Sequence, residues 1–150
     1  MLLEHTDQPI LGISTVVNLP QIANFITDGF EKMNNYMEEL GQLTSDVPHV
    51  GYLRWKEMYQ QKPITVCIIL PTSKLLPGKD DIGSDLVPAG KIITCMFRGS
   101  YADMGECYAS MEKWAEERGL ELTGDCMEMY YNGAGFDESD FLTRVIMPVK

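Results

Sequence analysis

The order strand, helix, strand, strand occurs twice in this chain at nearly constant spacing, which restricts the fold more than any other feature. Ile10 to Val17 is a β-type run, Ile-Leu-Gly-Ile-Ser-Thr-Val-Val, ended by Leu19-Pro20. Apolar residues then fall at Ile22, Phe25, Ile26, Phe30, Met33, Met37 and Leu40, the three-and-four spacing of one helical face. Pro20 suits the first position of this helix, and Gly41 stands just past its end. Val50 to Trp55 and Ile64 to Leu70 read as strands, the second stopping at Pro71.

The second half repeats this order. Ile92 to Phe97 reads as a strand, and Tyr101 to Arg118 as a helix with Met104, Cys107, Tyr108, Met111, Trp114 and Ala115 on one face. Ser100 is its expected N-cap and Gly119 closes it. Met127 to Tyr131 and Phe141 to Met147 follow as strands, ended by Pro148. Gly119 lies 78 residues after Gly41, and Pro148 lies 77 after Pro71. Overlaid at 78, Phe30 meets Tyr108, Met33 meets Met111 and Tyr36 meets Trp114; overlaid at 77, Ile64 meets Phe141 and Gly51 meets Glu128.

Neither unit can bury both faces of a three-stranded sheet alone. With 150 residues there is material for one well-filled core rather than two. The expectation is a single α+β domain over residues 1–150: duplicated strand-helix-strand-strand modules, about 10–71 and 91–149, related by a pseudo-twofold axis. They build an antiparallel sheet with two long helices and a central cleft. Residues 72–90, carrying Pro77-Gly78, Asp80-Asp81, Gly83, Pro88 and Gly90, read as a turn-rich linker.

Lys and Arg total 12 against 22 Asp and Glu, a formal charge of −10 spread along the chain. Such a surface repels phosphate backbones and anionic lipid, which argues against nucleic acid or membrane as direct partners and favours cationic ligands. Cys67, Cys95, Cys107 and Cys126 form no CxxC pair and read as buried, reduced thiols. His5 and His49 have no cysteine or carboxylate at ligand spacing, so neither metal nor cofactor is expected. With no signal-type N-terminus and no membrane-length apolar run, a cytoplasmic location is expected. Gly78-Lys79 lacks the glycine spacing and the hydroxyl of a phosphate loop, and Asp137 to Asp140 reads as a solvated turn.

Against this background one charge stands out. Glu128 lies in the middle of "GDCMEMYYN", Gly124 to Asn132, among methionines and tyrosines. A buried carboxylate without a partner costs several kcal/mol, so the acid is exposed, paired with a base such as Arg54 or Arg144, or kept for a ligand.

The stretch from Val87 to Asn132 resembles the GyrI-like family, the effector-binding domain of certain AraC-type and MerR-type transcription regulators. The resemblance rests on Pro88-Ala89-Gly90-Lys91, Arg98-Gly99-Ser100-Tyr101, Gly105, Trp114, Gly119 and the Glu-x-Tyr of Glu128 and Tyr130. Ser100 replaces the proline usual before the helix-entry tyrosine, and the first half fits the architecture with little motif similarity. The resemblance implies a hydrophobic cleft for bulky, often cationic, aromatic compounds with an acid at its base, at the position of Glu128. Too few residues precede Ile10 to hold a DNA-binding domain, so the expected likeness is to stand-alone members. Some of these bind drugs, one type inhibits DNA gyrase, and some hydrolyse cyclopropane-containing alkylating natural products.

Strand alternation puts Glu128 and Tyr130 on one face. The overlay at 77 puts Gly51, Leu53 and Trp55 on the equivalent face, where Gly51 leaves room beside the acid. Trp55, Tyr130 and either Tyr108 or Trp114 are the expected aromatic walls, although the last two also suit the helix's core face. Tyr52 is the candidate from the opposite face. The expected function is binding of a hydrophobic, cationic aromatic molecule beside Glu128. The alternatives are ring-opening hydrolysis with Glu128 and Tyr130 as catalytic groups, and gyrase inhibition through protein contact.

Overall fold

The computed structural model describes residues 1–150. Ten regular elements follow one another: β1 (Leu2–His5), β2 (Gln8–Val17), α1 (Ile22–Leu40), β3 (His49–Tyr52), β4 (Ile64–Pro71), β5 (Gly83–Val87), β6 (Gly90–Arg98), α2 (Gly105–Glu117), β7 (Cys126–Tyr130) and β8 (Leu142–Pro148). All eight strands join one antiparallel sheet in the order β1-β6-β8-β7-β3-β4-β2-β5. The order is symmetric about its centre. β3 and β7 meet in the middle, β4 and β8 flank them, β2 and β6 come next, and β5 and β1 form the edges. The duplicated α+β architecture expected from the repeat is therefore present.

The sheet must curl. His5 and Gln8 are three residues apart, a reach of about 10 Å, yet they belong to strands six positions apart, about 29 Å in a flat sheet. Val87 and Gly90 bridge the same gap in the other module. The two connections are tied together by the Ala89 amide, which donates to Asp7 Oδ1 at 2.7 Å. Edges held this close make a half-barrel with a concave and a convex face.

Both helices cover the convex face. α1 packs on β2 and β4, and α2 on β6. Leu11, Ile13, Ile68 and Leu70 meet Met33, Tyr36 and Met37 under α1. Val50, Val66, Ile93, Val145 and Met147 join Cys107, Met111 and Ala115 in the larger cluster, which reaches across both modules. Gly41 ends α1 in the left-handed conformation at φ 62°, as its position after the apolar stripe suggests. Gly29 faces β4, and a Cβ there would overlap Ile68 Cδ1, so glycine sets how closely α1 approaches the sheet.

Four expectations change. The linker 72–90 contains β5, an edge strand whose sequence, Gly-Ser-Asp-Leu-Val, is too polar to stand out. Residues before Ile10 supply β1 and the start of β2. The second helix begins as a 3₁₀ turn at Tyr101–Asp103, where Ser100 Oγ accepts from the Ala102 amide, and becomes α-helical at Gly105. The strand expected from Val50 to Trp55 stops at Tyr52, and Trp55 starts a 3₁₀ segment, Trp55–Gln60.

That segment is bracketed by two non-glycine residues in the left-handed region, Arg54 at φ 49° and Gln61 at φ 59°. Asp125 Oδ1 holds the first by accepting from the Arg54 amide at 2.9 Å. Left-handed backbone costs an ordinary residue about 1–2 kcal/mol, part of which glycine recovers. Gln61→Gly should therefore raise stability by up to about 1 kcal/mol. Thermal denaturation monitored by circular dichroism checks this.

Candidate functional site

The pairing of β3 with β7 decides which side chains surround Glu128. Residues directly opposite each other in an antiparallel pair share a face. Val50 opposes Glu128, Tyr52 opposes Cys126, and Gly51 opposes Met127. Glu128, Tyr130, Cys126, Val50 and Tyr52 therefore share the convex, helix-covered face. Gly51 lies on the other face, where its missing Cβ would meet Cys67, Ile69 and Met127.

The expected room beside the acid at Gly51 is thus corrected, and the reason is a register offset. The repeat distance is 78 through the helices and the central strands, which makes Tyr52 the equivalent of Tyr130 and Val50 the equivalent of Glu128. It falls to 77 only at β4 and β8, where Val66, Ile68 and Leu70 match Thr143, Val145 and Met147. Applying 77 to β3 slips it by one residue, and a one-residue slip moves every side chain to the other face. Tyr52, expected on the opposite face, belongs beside the acid.

The acid is held by phenols. Tyr108 donates to Glu128 Oε1 at 2.7 Å, and Tyr130 donates to Oε2 at 3.1 Å. Tyr52 and Tyr130 bring their hydroxyls within 3.2 Å of each other. Neither expected base is near: Arg54 is exposed beside Glu57, and Arg144 lies on the concave face with its Nε on Thr94. Burial pushes the Glu128 carboxyl above the usual carboxylate range, while the two phenol donors pull it back down. The Tyr108, Tyr130 and Tyr52 hydroxyls are all driven far up, first by burial and then by the Glu128 charge, so they remain donors.

Aromatic rings close the space above the acid. Trp55 lies 4.9 Å from Tyr108 between ring centres, and Tyr59 meets Trp55 edge-on at 6.0 Å. Tyr101 meets Tyr130 edge-on at 5.5 Å and stacks on Phe141 at 5.1 Å. Tyr101 and Phe141 are not among the expected wall residues. The signal for Tyr101 is its place in the helix-entry motif, since the first turn of α2 hangs over β7. Of the expected walls, Trp55, Tyr108, Tyr130 and Tyr52 gather around Glu128. Leu53 does not, being 38% exposed in the turn after β3. Trp114 packs at the margin of the core with the Arg118 guanidinium 3.9 Å above its ring.

An acid held by neutral donors among aromatic rings, at the junction of two equivalent modules, fits a duplicated α+β small-molecule-binding domain. The chain belongs to the GyrI-like family: the GyrI-like small molecule binding domain matches residues 2–150. No curated protein matches the sequence. Among solved structures, the C-terminal domain of EcmrR is similar with a TM-score of 0.83 at 18% identity, covering 100% of this chain and 96% of that one. In the EcmrR–DNA complex the TM-score is 0.82 at 19% identity, and this chain spans 56% of the EcmrR chain. A hydrolase encoded by lin2189 from Listeria innocua matches with TM-score 0.74, 11% identity and coverage of 100% and 91%. SAV2435 bound to tetraphenylphosphonium matches with TM-score 0.61, 12% identity and coverage of 100% and 93%. At these identities the likeness is one of fold. No helix of the chain is long and apolar enough to cross a membrane.

Proposed function

We propose that this chain binds hydrophobic, cationic aromatic molecules at Glu128. The observation that carries the reading is a carboxylate among aromatic rings with no cationic partner, held only by the Tyr108 and Tyr130 hydroxyls. A lipophilic cation supplies the missing charge, and its apolar surface takes the place that the Trp55 and Tyr108 rings now fill. The 3₁₀ segment carrying Trp55 is the piece that moves, because its two left-handed ends leave it strained. SAV2435 was solved with tetraphenylphosphonium, a cation of this chemistry, which makes that compound the first probe.

The pH dependence tests the role of the acid. The empty site holds the Glu128 carboxyl above its ordinary range, and a bound cation favours the ionised form. Affinity for tetraphenylphosphonium should therefore rise as the pH climbs from 4 through the window above the ordinary carboxylate value, then level off. Fluorescence or calorimetric titration across that window reads it. An affinity flat in pH would remove Glu128 from binding.

A second reading, hydrolytic opening of a strained ring, draws on the same geometry. An acid of raised pKa bonded to two phenols is equipped for general acid–base work. Mass spectrometry after incubation with a cyclopropane-containing alkylator separates the readings, since a binder returns the compound intact.

A further inference from the structure

The concave face of the half-barrel holds a cavity of about 260 Å³, on the opposite side of the sheet from Glu128. One strand serves both sides: Glu128 points to the helices, and its neighbours Met127 and Met129 line this cavity. Ile10, Ile69, Ile92 and Ile146 supply further apolar wall, so the space suits a hydrocarbon or aromatic body.

Its polar groups are unusual. His49 on β3, Met129 on β7 and Arg144 on β8 form one row of paired positions across the sheet. The half-buried Arg144 donates from Nε to Thr94 Oγ1 at 2.8 Å, and its two terminal nitrogens bond to nothing in the protein. In a chain with 22 acidic residues, none of the ion pairs includes Arg144. His49 Nδ1 is buried without a partner at full hydrogen-bond geometry, although the Val47 backbone lies close enough to favour its protonated form. The Arg144 fork thus keeps its terminal donors free toward a half-enclosed apolar cavity, where a bound anion gains more from them than it does in open water.

We propose that this cavity binds a small monocarboxylate with an apolar tail, its carboxylate accepting from the terminal nitrogens of Arg144 and its tail lying against Met127, Met129 and the isoleucines. An arginine fork matches a carboxylate in geometry as well as charge. Burial keeps the His49 imidazole neutral by lowering its pKa, which lets one ring nitrogen donate a second hydrogen bond without adding charge. The ligand carries one charge because carboxylates stand at the rim. Asp46 Oδ1 accepts from the Val47 amide at 2.7 Å, and Glu4 faces Lys91 at 3.9 Å. These two acids repel a polyanion such as a phosphate ester and tolerate a single carboxylate anchored deeper in.

Octanoate is the probe. Isothermal titration calorimetry of the whole chain should show one saturable site, with 1-octanol at least tenfold weaker. Arg144→Gln should weaken octanoate at least tenfold, while Glu128→Gln leaves it unchanged because that acid faces the other side of the sheet. Methyl NMR on methionine-labelled protein gives a readout that needs no variant: octanoate should shift the Met127 and Met129 methyls and leave Met33 and Met111 in place. Absence of saturation, equal binding of octanol, full binding by folded Arg144→Gln, or shifts at Met111 in place of Met127 would each overturn the proposal. Should Arg144→Gln fail to fold, the methionine shifts decide alone.

Discussion

Glu128→Gln should weaken tetraphenylphosphonium binding at least tenfold at pH 8, about 1.4 kcal/mol, and at the same time raise the melting temperature of the empty protein. The amide keeps the shape of the side chain and can still accept from Tyr108 or Tyr130, so the loss in binding reports the charge. The gain in stability has the same source. A carboxyl whose folded pKa lies above its unfolded value contributes stability that is fully present below the unfolded value and lost as the pH rises through the folded one. Glutamine never ionises, so the melting-temperature difference should be largest at pH 7–8 and should shrink toward pH 4. Calorimetry and dye-free binding titration on the same two proteins give both halves. Equal affinity would sink the binding role, and a lower melting temperature at pH 8 would mean that the hydrogen bonds outweigh the buried charge. Opposite effects on binding and stability are expected where a site keeps a group that the fold alone would not choose.

Gly29→Leu should be among the most damaging single changes in the chain. Even the first carbon of a side chain at this position overlaps Ile68 Cδ1, and Ile68 is completely buried beneath α1. Leucine improves helix propensity by about 1 kcal/mol, but overpacking a filled core costs about 1–3 kcal/mol and occasionally more. Here the insertion also lifts α1 from β4, where Met33 and Leu70 are fully buried. A net loss of about 2 kcal/mol or more is expected, read from urea denaturation midpoints. Gly29→Ala, with a single methyl, should lose less, because the end of Ile68 can rotate away and alanine favours the helix. If Gly29→Leu were as stable as the parent, the close approach of α1 to β4 would have no energetic weight.

How far the sequence reveals this molecule differs from element to element. The helices are legible because their apolar stripes and terminal glycines act locally: Leu40-Gly41 ends α1 where the spacing says it should. The flanking strands β4 and β8 are legible from their β-branched runs, whereas the central β7, Cys-Met-Glu-Met-Tyr, has no β-branched residue and shows only as a short stretch of large apolar side chains. The edges are not. β5 is largely exposed, so nothing selects an apolar pattern there, and β1 is four residues long. At the site, Glu128 and Tyr130 follow from alternation together with the family resemblance, and Trp55 reaches the site although it leaves the strand expected to carry it. Tyr52 and Gly51 exchange faces because the connection between the second and third strands of each module differs by one residue. That difference lies in irregular backbone, where periodicity gives no count. The concave cavity is hidden for another reason. It exists only because the sheet curls, and the curl follows from two short connections, Thr6-Asp7 and Pro88-Ala89, whose meaning appears only once the strand order is known.

The pseudo-twofold axis runs through the Val50–Glu128 pair, and a position on an axis faces its own counterpart. In an assembly of two identical modules, any acid placed there would confront a second copy of itself across the central strands. Two carboxylates at that spacing would titrate as a coupled pair sharing one proton, so the charge would be divided between two acids on opposite sides of the axis instead of fixed on one. Joining the modules in one polypeptide lifts this constraint, since each side of the axis can then be written separately. Val50 on one side and Glu128 on the other form a combination that only a covalently fused pair can have. The single acid at the centre is thus a property of the fusion, available to one chain of 150 residues and closed to a symmetric pair of half-chains.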